Sequence, residues 1–251
     1  MIGRRDTSVA GLPRVRHEWR ARIAAEYTSA AIAQQVTLWL IQAGAPPDLI
    51  DAGLAIVRDE LEHSRLSHEV YVAAGGTEPP ALVREQLGLE RRSAVLELDL
   101  LAAIVQVFCL GETVAVPLFR RLREPCTEPA AREALDRILR DEVRHRDFGW
   151  DTLDWLFTTT IADQIVAWVT EHWPAMHGEL VRSYGIDNPV VAADRAELAS
   201  PALGGAAAPN GDAELIEVAW GLAPPRDYAT ILERTVEKDY RPRFASRGIN
   251  I

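Results

Sequence analysis

RDEVRH, Arg140 to His145, repeats a hexapeptide already present in the chain: RDELEH, Arg58 to His63. Arg, Asp and Glu recur in order, and His recurs three residues after the Glu. Both copies lie in segments with the apolar spacing of packing helices. On a helix, residues at i and i+3 share a face, so Glu60 and His63 point one way, as do Glu142 and His145. A charged hexapeptide repeated inside two core-forming helices needs an explanation that packing alone does not give.

The whole 251-residue chain reads as all-α and as a single domain. Its composition is 48% hydrophobic, enough for a sizeable core, and its formal charge is −10 without dense Lys/Arg runs. That balance argues against nucleic acid and against an anionic membrane as partners. Cys109 and Cys126 form no CxxC pair, which suits a reducing, cytoplasmic setting. MIGRRDTSVAGLPRVR carries no apolar run after its arginines, so no signal peptide is expected. The most apolar stretch, Leu100 to Gly111, is flanked by Asp99 and Glu112 and is too short to span a bilayer.

Apolar periodicity predicts helix 1 over about Arg16 to Gln42 and helix 2 from Pro47 to the Gly75-Gly76 stop. A short helix is expected over Pro80 to Gln86. Helix 3 is predicted over about Ser93 to Glu124, kinked at Pro117, and helix 4 over about Glu128 to Phe157. Helix 5 follows Thr158–Thr160 and ends before Gly185. An Ala/Gly/Pro-rich loop or lid is expected over about 187–211, and a last helix over about Pro225 to Arg247. Residues 16–157 thus form a four-helix core, and 158–251 a helical extension.

A Glu-x-x-His pair on each of two helices, with one Glu from each of two others, is the ligand pattern of a carboxylate-bridged dimetal site in a four-helix bundle. That pattern demands two more inward carboxylates. Helix 1 offers Glu26 within RIAAEYTSAAIA, and helix 3 offers Glu112 within FCLGETVAV. Glu112 sits on an apolar face with Val105, Phe108, Cys109, Ala115, Val116 and Phe119, where a lone carboxylate is costly. Four carboxylates balance two divalent ions, and two neutral imidazoles complete a site without net charge. Asp59 and Asp141 each precede a ligand Glu. A metal-bound His usually donates its other N–H to a carboxylate, so each Asp is expected to hold the His of the other half. The metal-ligand candidates are Glu26, Glu60, His63, Glu112, Glu142 and His145.

These residues resemble the ferritin-like carboxylate-bridged di-iron superfamily, over roughly 16–157. RDEVRHRDFGWDTLDWL is similar to the corresponding helix of aldehyde-deformylating oxygenases. The resemblance implies a ferritin-like four-helix bundle with added C-terminal helices. It implies two Fe ions, with Mn or a mixed Mn/Fe pair also fitting, and O2 as co-substrate. It further implies an external electron donor or reductase and a small, largely apolar organic substrate. Hydroxylation, desaturation, N-oxygenation and C–C cleavage all run on this ligand set. A homodimer is compatible with it. Departures narrow the range. No cysteine-rich iron module is present. Phe119 stands where radical-forming relatives and the aldehyde enzymes place a tyrosine. Ile138 stands where arylamine N-oxygenases place an extra His.

About a hundred residues beyond helix 4 suit a substrate pocket better than a mineral cage. Bacterioferritin-like iron handling and manganese-catalase-like peroxide disposal are the alternatives. Phe108, Ala115, Val116 and Phe119 are candidates for the pocket wall, though they read first as ordinary core. His68, His172 and His177 read as surface or pocket-mouth residues. The tryptophans 19, 39, 150 and 155 read as packing. The arginines of DYRPRFASRG, Asp239 to Gly248, read as partners for acidic bundle faces.

Overall fold

Proline and glycine set the helix ends. In the computed structural model, which describes residues 12–78, 80–184 and 211–251, α1 spans Leu12–Gln42 and α2 spans Pro47–Ala73. Between them Gly44 takes φ 73°, and Ala45 N–H returns to the Leu40 carbonyl, a glycine stop that frees Pro46-Pro47 to start the next helix. Gly75, at φ 83°, ends α2 in the same way, with Gly76 N–H bonded to the Tyr71 carbonyl.

The remaining helices are α3 (Leu96–Arg123), α4 (Pro129–Leu156), α5 (Ala162–Ser183), α6 (Gly211–Ala219) and α7. The last runs as Pro225–Thr235, a π segment Val236–Tyr240, and Arg241–Ala245. Among the described residues there is no strand, and the fold is all-α. Three expectations need correction. The short helix over Pro80 to Gln86 is only a 3-10 turn, Arg84–Gln86. α6 arises where no helix was expected. α3 runs through Pro117 but carries an unforeseen π segment, Ile104–Glu112, just before it. Most of the lid expected over 187–211 lies outside the described residues.

Two apolar cores flank a polar layer. One core holds Ala33, Val36 and Trp39 of α1, Ile56 of α2, Leu100 to Val114 positions of α3, and Phe148 to Leu156 positions of α4. The other holds Trp19 and Ile23 of α1, Leu66 and Val70 of α2, Phe119 and Leu122 of α3, and Leu135 and Ile138 of α4. Chain direction follows from this. α1 and α4 run from the second core to the first, while α2 and α3 run the opposite way. α2 and α3 are therefore parallel, and the segment 74–95 is a long crossover. The four helices are thus joined by two short links and one long crossover. α3 is apolar enough by length and composition to cross a membrane, but most of it is buried among its neighbours.

Close approach positions the third helix. A Cβ on Gly149 of α4 would meet Phe108 Cβ at 2.6 Å and the Cys109 nitrogen at 2.9 Å. Only glycine lets α4 press against the backbone of the π segment. The π segment leaves carbonyls without regular helical donors. The buried Tyr240 hydroxyl donates to the Leu110 carbonyl at 2.6 Å. Trp150 Nε1 donates to Thr113 Oγ1 at 2.9 Å. The C-terminal helix thus supports the turn that presents Glu112.

Candidate metal centre

Glu26, Glu60, His63, Glu112, Glu142 and His145 converge in the polar layer, each at most 8% exposed. Every helix of the four-helix core contributes. α2 and α4 each give a Glu and a His one turn apart, α1 gives Glu26, and α3 gives Glu112 at the end of its π segment.

The two rings lie 5.7 Å apart between centroids. His63 Nδ1 lies 3.7 Å from Glu60, 3.8 Å from Glu26 and 3.9 Å from Glu142. His145 Nδ1 lies 3.2 Å from Glu60 and 3.8 Å from Glu142. His63 Nδ1, His145 Nδ1, Glu60 Oε2 and Glu142 Oε2 are buried without a hydrogen-bond partner. Such orphans are expensive unless something else satisfies them.

A metal ion would do so. First-row divalent ions hold N and O ligands at about 2.1 Å, so ligands around one ion lie about 3 to 4.2 Å apart. Two groups come near that spacing: Glu26, Glu60, His63 and Glu142, and Glu60, Glu112 and His145, with ligand atoms within 4.8 Å of one another. Glu60 belongs to both. The donor set is imidazole nitrogen and carboxylate oxygen, without thiolate, which suits a first-row divalent ion.

The far side of each ring is fixed crosswise. His63 Nε2 meets Asp141 at 3.2 Å, and His145 Nε2 meets Asp59 at 3.5 Å. Each aspartate therefore reaches the histidine of the other hexapeptide. Two arginines that the sequence reading missed hold both aspartates. Arg137 bonds Asp59 at 2.8 Å and also Asp141. Arg144 bonds Asp59 at 2.8 Å and Asp141 at 2.9 Å. Their spacing was a usable signal, since Arg137 and Arg144 stand four before and three after Asp141.

The titration pattern of the metal-free cluster follows from these contacts. Burial, then the charge of Glu60, raises Glu26 to about 8. Burial and the neighbouring Glu112 raise Glu142 well above the carboxylate range. Burial also raises Glu112. Burial opposes ionisation of Glu60 as well, but the facing His145 and His63 outweigh it and hold Glu60 at about 2. Burial works against both imidazolium ions. Asp141 and Glu60 nonetheless raise His63 to about 9, and Asp59 and Glu60 raise His145 to about 10. Without metal, protons take the places where cations belong.

Other expected residues sit elsewhere. Phe108 is core, edge-on to Phe148. His68 is exposed. His172 stacks on Trp168 and His177 on Trp173. Trp19, Trp39 and Trp150 are buried packing residues. Arg247 pairs with Asp154 through two bonds of 2.6 and 2.7 Å. Compared with models of protein families, with curated proteins and with solved structures, the chain matches none, so its functional reading rests on its own residues.

Proposed function

We propose that the chain is an O2-dependent di-iron oxidoreductase of the ferritin-like kind, acting on a small, largely apolar organic molecule. The observation that carries this reading is the set of four orphaned polar atoms, on Glu60, His63, Glu142 and His145, aimed into one buried layer. Glu26 and Glu112 close the set from the other two helices. A bound iron pair would supply the electrons and the Lewis acidity for O2 reduction and substrate oxidation. The chain itself does the rest. Asp59 and Asp141 fix the imidazole tautomers so that Nδ1 faces inward. The apolar cores on either side keep bulk water from the layer. Glu26, which burial raises to about 8 in the metal-free cluster, can hold a proton near neutral pH and so give up or take one there. Electrons come from an external donor, because no flavin or nicotinamide fingerprint is present in the sequence.

The test is metal content after anaerobic Fe(II) loading and desalting, followed by O2 uptake. About two irons per chain are expected in the wild type, with far fewer and slower O2 uptake in Glu60→Ala and Glu142→Ala. Wild-type O2 reactivity in both variants would falsify the reading. Many irons per chain after exposure to air would favour iron storage, and rapid O2 release from peroxide would favour a catalase-like role.

A further inference from the structure

Arg22 stands one helical turn before Glu26 on the same face of α1. Its guanidinium carbon lies 4.4 Å from the Trp19 ring centroid and 5.0 Å from that of Phe119. Its Nη1 is buried and has no hydrogen-bond partner among the described residues. The other orphaned atoms of charged or imidazole side chains belong to the metal cluster and need a cation. The orphan on Arg22 is a donor and needs the opposite. A metal ion cannot satisfy it, and leaving it bare is costly.

The surroundings narrow the partner. Two aromatic rings cover the guanidinium, which leaves its in-plane N–H edge for a ligand. A planar carboxylate fits that edge with two parallel bonds. The two rings belong to an apolar core. Phe119, Leu222, Ala223 and Tyr228 belong to the same core or pack against it. Tyr228 lies 6.0 Å from Tyr184 between ring centroids. Arg22 and Glu26 are one turn, about 5.4 Å, apart along α1. A carboxylate held on Arg22 would therefore lie about one helical turn from the Glu26 position.

We propose that Arg22 is the anchor of a carboxylate-binding site, and that the organic molecule taken at the metal centre is a carboxylic acid with an apolar body. Its role as a substrate rests on the dimetal reading above, while its binding does not. The probes are octanoate, benzoate, octanol and octylammonium, titrated calorimetrically into anaerobic, iron-loaded protein and into chelator-treated protein. At least one of the two acids is expected to bind. Octylammonium should not, and octanol should bind more weakly than octanoate. In Arg22→Gln the acid should weaken about tenfold or more, the scale of a lost charge-assisted bond, with iron per chain unchanged. Arg22→Lys should restore part of the affinity and guards against a merely unfolded glutamine variant. Equal acid affinity in wild type and Arg22→Gln overturns the proposal, as does failure of both acids to bind. The two readings fail separately. If iron does not load, Arg22-dependent binding in chelator-treated protein still stands. If that binding is absent, the iron count is untouched.

Discussion

The two hexapeptides supply matching ligands but unequal support. At the fifth position RDELEH has Glu62 and RDEVRH has Arg144. Glu62 faces outward and pairs with Arg65 at 2.6 Å. Arg144 turns inward onto both Asp59 and Asp141. Arg137, also on α4, does the same. The first positions differ too. Arg58 only reaches the Leu54 carbonyl, while Arg140 lies 3.4 Å from Asp141. Among the described residues, every arginine that neutralises the two aspartates therefore comes from one helix. The ligand set has near two-fold symmetry, whereas the charge support has none. A repeat in sequence thus guarantees matching metal ligands without guaranteeing matching surroundings.

Exchanging the fifth positions should break the comparison most sharply. Arg144→Glu puts a third carboxylate beside two buried ones. Discounted for the half-exposed arginine, the loss is about 3 kcal/mol in a denaturant titration of the metal-free protein. Glu62→Arg should cost less than about 1 kcal/mol, because Glu62 belongs to an exposed pair. Equal effects would mean that α4 is not the sole source of support.

The pH response sharpens the contrast between protons and metal. His63 and His145 have folded values of about 9 and about 10, above the ordinary 6.5. Their contribution to stability is complete below pH 6.5 and disappears as pH rises through 9 to 10. Glu26, raised from 4.5 to about 8, acts in the same direction across that interval. Glu60, lowered to about 2, contributes above 4.5 and is lost only in strong acid. The Tm of metal-free protein should therefore fall from pH 6 to pH 9, on the order of 5 °C. Metal-loaded protein should resist that fall, since deprotonation favours ligation. Parallel pH curves for the two forms would contradict this.

Tyr240→Phe should also have a small effect, about 1 kcal/mol, from an unmet Leu110 carbonyl. Its second readout is the electronic spectrum of the metal-loaded protein, which should shift because the π segment ends at Glu112. A spectrum unchanged to within error would separate that helix from the metal centre.

Much of this was legible in the sequence because it is periodic. The four long helices, the Pro and Gly stops and all six convergent side chains follow from i, i+3 spacing and from carboxylates set among apolar residues. The π segment was not legible. It depends on Gly149 admitting α4, and on Tyr240 answering a carbonyl 130 residues away. The orphaned donor on Arg22 was equally hidden. Its significance comes from Phe119 on another helix, where the sequence shows only an absent tyrosine. α6 is short, and only its docking, with the Ala219 carbonyl taking the Thr127 and Glu128 N–H groups, makes it visible.

The polar layer between the two cores also acts as a ruler. Sliding α3 by one turn would carry Glu112 in among leucines and bring an apolar side chain opposite Glu142. Sliding α2 or α4 would part His63 from Asp141 and His145 from Asp59. Leucine against leucine tolerates such slips, because one apolar contact resembles another. Charged groups with specific partners do not. The layer that gives the bundle its chemistry therefore also fixes how far each helix stands along its neighbours, and the alignment of the bundle is written in the same few residues as its site.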